Sequence, residues 1–190
     1  MRAVNPMEDQ LIDPADVLRL LTAADVELRA AISLGYYAGL SSLDMASLWW
    51  ADVDFKQKAV RIGRGLGVSL RVVPMHPALQ AQLSALRKRS GGREVFEAPQ
   101  AIAQLREKLR AISEPLGLGY VCFRDFQLRF RELSQRASEM VAVMAFMVGN
   151  KQARKYVLYT KAGRMRRIEL DKFRRVIGCF SDLLHPGEAK

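Results

Sequence analysis

With only two cysteines and two histidines in 190 residues, the chain has little material for redox or metal chemistry. Cys122 and Cys179 have neither disulfide-framework nor metal-site spacing, so the expectation is reduced, semi-buried thiols in a cytosolic protein. His76 and His185 lie far apart, with no cysteine or carboxylate at ligand spacing, and no metal or other cofactor is expected. Long apolar runs are missing as well. The longest, "MVAVMAFMVG" over 140–149, falls well short of the ~18 residues that a membrane span needs. The opening "MRAVNPMEDQLIDPADV" has no apolar h-region, so no secretory signal is expected. Neither Gly-x-Ser-x-Gly nor His-Glu-x-x-His occurs, which removes the hydrolase chemistries those patterns carry.

What is present is a globular composition, 49% hydrophobic and 26% charged, in a length that suits one domain with a real core. The net charge is +10, and it is unevenly placed. Residues 1–60 hold five basic and nine acidic side chains, a net of −4, which leaves +14 on the rest. Such an excess speaks to partners rather than to fold: it favours nucleic acid or another anionic surface, met by the middle and C-terminal parts.

The pattern is mostly helical. Asp13-Pro14 reads as an N-cap with proline in the first turn, ahead of an apolar face at Val17, Leu18, Leu20 and Leu21. A second helix runs to about Tyr37, where Gly39 suits its C-terminal end, and "SSLDMASLWW" reads as a short third helix with Ser42 as the cap. Trp49 and Trp50 read as core. The period then changes: Ala59–Ile62 and Ser69–Val73 are strand-like runs around "GRGLG", a hairpin turn rather than a phosphate loop because no helix follows it directly. Pro77 opens a helix that "GG" at 91–92 ends, and "APQAIAQLREKLRAIS" is another, stopped by Pro115 and Gly117. The last third is helical from "FRDFQLRFRELSQRA" onward, with Phe126, Phe130 and Leu133 as a core face and Arg124 and Arg131 off it. The expected fold class is mostly α with a small antiparallel β-sheet. Residues 1–10 form an N-terminal tail, and 11–190 form a single domain.

"NKQARKYVLYTKAGRMRR", residues 150–167, sets Tyr159 among Arg154, Lys155, Lys161 and further arginines. A half-buried helix residue, a groove contact and a nucleophile for a phosphodiester are the three readings of that tyrosine. Here a family resemblance enters. "ISLGYYAGLSSLDMASLWWADVDFKQKAVRI" resembles the "tGLRisEll-L-W-DiD" opening of the tyrosine recombinase (phage integrase) catalytic domain. "GLGVSLRVVPMHPALQAQL" is similar to its strand with "R-x-V-P-L" and the helix that follows. "FRDFQLRFREL" looks like "pHdLRHtfat", and "FMVGNKQARKYVLYTK" looks like "LGHss-tt--Y-h". The likeness covers about residues 11–163 and holds without gaps from Arg124 through Gln127 and Asn150 to Tyr159.

The resemblance implies a tyrosine-recombinase catalytic-domain-like fold, DNA as partner, and DNA recombination through a 3′-phosphotyrosine. In the family two arginines and a histidine or tryptophan hold the phosphate, and a hairpin lysine protonates the leaving oxygen. Those positions are substituted here. The first arginine falls on Ser41, the His-x-x-Arg pair becomes Arg124 and Gln127, the later histidine is Asn150, and the lysine falls on Arg64. Tyr159 alone is unchanged. Losing one preorganised charged donor costs on the order of 10²–10³ in rate. Without the paired arginines, Tyr159 is an ordinary phenol of pKa about 10. The expectation is therefore a DNA-binding regulator of transcription, a plasmid or a mobile element: a recombinase-like pseudoenzyme, cytoplasmic or nucleoid-associated when DNA-bound. Arg64, Arg124, Arg131, Lys151, Arg154, Lys155 and Lys161 are the expected DNA contacts.

The alternatives are an active recombinase whose site is rebuilt around Tyr159 with Arg64, Arg124 and Arg131, and an interaction module without DNA binding. Arg129 stands about 200° around its helix from Gln127 and should point elsewhere. Family members usually carry an N-terminal clamp domain, and about ten residues precede the similar part here, so a homo-oligomer or a partner is expected to complete the grip. The C-terminal helix over 164–190 has an apolar stripe, Ile168, Phe173, Val176, Ile177 and Phe180 among it, suited to packing in trans or on its own domain.

Overall fold

Thirteen residues of one helix, α2 (Val26–Ala38), organise everything else. In the computed structural model, which describes residues 11–63, 71–97 and 100–136, every residue of α2 from Ala30 to Ala38 is buried. Its composition, alanine-rich with one internal glycine, lets neighbours approach from all sides, as expected of a core helix without a polar face. α1 (Pro14–Ala23), α4 (Pro77–Arg87), α5 (Ala101–Ser113) and α6 (Phe123–Arg136) all pack against it.

Helix starts follow local chemistry. Asp13 accepts the Ala15 N–H at 2.7 Å, and Asp25 accepts the Leu28 N–H at 2.8 Å, each satisfying an orphan donor of the first turn. At α4 the cap is His76, whose Nδ1 accepts from Ala78 N–H at 3.2 Å while its buried ring stacks on Tyr37 at 4.5 Å. The cap of α3 (Ser42–Ala46) is Ser41, not Ser42 as the sequence suggested. The capping-box partner decides this: Asp44, three residues after Ser41, returns a bond to the Ser41 N–H.

α2 ends at Gly39, in the left-handed region at φ +66°, where the Gly39 N–H reaches Gly35 O at 3.1 Å and the Leu40 N–H reaches Leu34 O at 3.2 Å. A Cβ on Gly39 would sit 2.4 Å from the Phe130 ring, and one on Gly35 would sit 3.1 Å from Phe126 Cβ. Glycine at these two positions is what brings α6 onto α2.

The sheet has order β1-β2-β3, antiparallel throughout: β1 (Val53–Asp54), β2 (Ala59–Ile62) and β3 (Arg71–Pro74). The register pairs Ala59 with Pro74 and Ile62 with Arg71, so β2 and β3 are antiparallel neighbours, while "GRGLG" beyond Gly63 lies outside the described residues. A single 3₁₀ turn, Trp50–Asp52, leads into β1. Trp50 is buried, gives its indole N–H to Ser90 Oγ at 2.8 Å and carries Arg87 over its ring. Trp49, expected in the core, is 40% exposed and pairs with Glu94 in an isolated bridge. Trp49 is extended while Trp50 opens the 3₁₀ turn, and of the two neighbouring indoles it is Trp50 that turns inward. Lys108 on α5 binds Asp25 at 2.9 Å and Glu27 at 3.2 Å, tying α5 to the start of α2. Burial would raise the Asp25 carboxyl, but the Leu28 N–H and Lys108 outweigh it and hold it below its usual range.

Candidate nucleic-acid interface

The end of α2 and the start of α3 form one turn, and α6 lies against it. Ser41 Oγ accepts the Asp44 N–H at 3.1 Å and donates to Asp44 Oδ2 at 2.8 Å; the Ser41 N–H reaches the same oxygen at 2.8 Å. From β3, Arg71 Nη2 donates to that oxygen too, at 2.9 Å. On the other side of the turn, Gln127 Nε2 donates to the Gly39 carbonyl at 3.1 Å. The structure thus brings Ser41 and Gln127, far apart in sequence, to the same turn. Both side chains hold backbone or caps.

Arg71 escaped the sequence reading. Two signals could have found it: Ser41-x-x-Asp44 has capping-box spacing, and an arginine inside an apolar strand needs a buried acid. Its side chain is 15% exposed and that of Asp44 10%. Taking one partner from a pair that far out of water leaves the other stranded. Because Asp44 keeps its two bonds from Ser41, Arg71→Gln is expected to cost only about 1–3 kcal/mol, read as a lowered denaturant midpoint with an unchanged m-value.

Arg124 is exposed, one turn before Gln127 on α6, and Arg131 is exposed one turn after it. Arg124 lines a cleft of about 430 Å³ between α5 and α6, together with Ser42, Arg106, Arg110 and Tyr120. Cys122, in the same lining, is a free thiol whose pKa is pushed up by burial, so it stays neutral near pH 7. Arg129 points elsewhere, as its angle on the helix requires. It pairs with Glu132 at 3.1 Å on the side of Tyr36, whose phenol burial drives far above its ordinary value. Arg64, Asn150, Lys151, Arg154, Lys155, Tyr159 and Lys161 lie outside the described residues, as does 164–190. Among the described residues no group of histidine, cysteine or carboxylate side chains could hold a metal, and no helix is long and apolar enough to cross a membrane.

The fold is that of tyrosine-recombinase catalytic domains. An integrase from mycobacterium phage Brujita matches over 100% of this chain and 65% of its own, with a TM-score of 0.68 at 14% identity. XerA recombinase matches over 87% of this chain and 64% of its own, with a TM-score of 0.65 at 16% identity. The lambda integrase catalytic core matches over 75% of this chain and 96% of its own, with a TM-score of 0.59 at 14% identity. The chain therefore spans under two thirds of the length of the first two and nearly all of the isolated catalytic core. No protein-family model and no curated protein matches the sequence.

Proposed function

We propose that the chain binds duplex DNA on a recombinase scaffold and regulates transcription, a plasmid or a mobile element without cutting the strand. One observation carries the reading. The positions that match the family's two phosphate-holding arginines are Ser41 and Gln127, and both are neutral and engaged in holding the α2–α3 turn. Phosphoryl transfer depends on positioning and on charge at the non-bridging oxygens, which neither side chain supplies. Arg124 and, from the sequence, Arg64, Arg131 and the lysines and arginine of 151–161 keep a cationic surface for the DNA backbone. Such contacts stabilise bound ground state and transition state alike, so they aid binding without aiding cleavage. In this reading Tyr159 lines a groove, and 164–190 completes the grip by packing on a second copy.

One observation favours the alternative, an active recombinase with Tyr159 as nucleophile. Arg71 brings a guanidinium to the acid beside Ser41, a cation delivered from another element. Its charge is matched by Asp44, which keeps the non-cleaving reading ahead. The test is a nicked duplex that traps any phosphotyrosine adduct, and the proposal requires that none forms.

A further inference from the structure

The cleft between α5 and α6 holds an exposed aromatic that the fold does not use. Tyr120 is 83% exposed. It follows a turn in which the Leu118 N–H closes onto Ser113 O at 3.1 Å, with Gly117 at φ +71° and Gly119 at φ +64°. A Cβ on either glycine would meet open space, so these glycines serve chain direction and not packing. Through this left-handed turn the chain leaves α5 and places Tyr120 at the cleft mouth.

Around that ring the charge is positive. Neither Arg106 nor Arg124 forms an ion pair with a described residue, while Arg110 is matched by Glu114 at 2.9 Å. Glu107 is the acidic residue of the lining, leaving one cation in surplus. The Ser42 hydroxyl adds a neutral donor on the far wall.

Size selects among anionic ligands. At about 430 Å³ the cleft lies within the roughly 300–1,000 Å³ of sites that hold small organic molecules. A duplex is too wide to enter, although its backbone can meet the exposed Arg124 from outside, and it keeps its bases stacked on one another. A base reaches a protein ring only after leaving the stack, and then an aromatic face beside arginines is its usual platform.

We propose that this cleft takes one unpaired nucleotide of the DNA, its base on the Tyr120 ring and its phosphate on Arg106 and Arg124. The inference rests on the DNA-binding reading and adds a preference within it: an extrahelical base or a single-stranded end beside the duplex.

The test compares a blunt duplex with the same duplex carrying one extrahelical adenine, by fluorescence anisotropy of the full chain at fixed salt. The bulged duplex should bind about five-fold or more tightly, the size of one base–aromatic stack. With 2-aminopurine as the bulged base, its fluorescence should fall on binding. Tyr120→Ala should abolish both effects, Tyr120→Phe should keep both, and the blunt duplex should bind all these proteins equally. Equal affinity for the blunt and bulged duplexes would overturn the inference while leaving the DNA-binding reading in place. A gain that survives Tyr120→Ala would overturn it also, since the nucleotide would then sit elsewhere. No binding of either duplex would overturn both readings. A Tyr120→Ala protein that melts several degrees lower would mean that the ring packs against its own chain, and the proposal would fall.

Discussion

Gly39→Ala is expected to destabilise the protein by about 2–5 kcal/mol, a large part of the ~5–15 kcal/mol that holds a typical domain together. Two effects add. Alanine in the left-handed region costs about 1–2 kcal/mol, and forcing a methyl into a packed contact costs about 1–3 kcal/mol. The second effect is unavoidable here because the new Cβ would lie 2.4 Å from the Phe130 ring, itself buried between α6 and α2. At roughly 2–4 °C per kcal/mol for a chain this long, Tm should fall by about 10 °C. Gly39→Asn separates the terms, since asparagine tolerates positive φ but still carries a Cβ. It should be nearly as damaging, and Phe130→Leu should be partly compensating in the Gly39→Ala background. A Gly39→Ala protein as stable as the parent would mean that α6 does not cross α2 at this turn.

Duplex binding should depend steeply on salt. A basic surface binds by releasing condensed counterions, and about five neutralised phosphates give a log–log slope of about −4 to −5. Between about 50 and 200 mM salt, affinity should fall on the order of several hundred-fold. Arg124→Ala should weaken binding about equally on all sequences and reduce the slope by about one, because a phosphate contact positions the protein and reads no base. Anisotropy across a salt series checks both. A flat response, or no binding at low salt, would favour the interaction-module alternative.

The helices and hairpin were legible because the signals were local. Asp13-Pro14, Gly39 and the period-two runs of β2 and β3 each fix a backbone geometry within a few residues, and the structure places elements there. The Ser41 cap was misplaced by one residue because both serines suit the position and only the returning Asp44 carboxylate separates them. Arg71 was missed for a different reason. Its partner lies on another element, 27 residues away, and no periodicity within β3 reports that contact. The same holds for Tyr120 and Arg106, which come near Arg124 and Ser42 only once α5 and α6 have each packed on α2. Trp49 misled because composition marks an indole as core, while the inward place at this step is taken by Trp50 as it opens the 3₁₀ turn. Of the candidate site, the family resemblance alone singled out Ser41 and Gln127, and their meeting at the α2–α3 turn depends on contacts between elements far apart in the chain.

The most direct test of the central claim is a suicide substrate: duplex DNA nicked so that cleavage releases a short fragment and traps a 3′-phosphotyrosine. With neutral Ser41 and Gln127 at the positions proposed to face the phosphate, binding should occur and no protein–DNA adduct should form, for the parent and for Tyr159→Phe alike. A covalent band that disappears with Tyr159→Phe would contradict the account and establish Tyr159 as the nucleophile of a rebuilt recombinase.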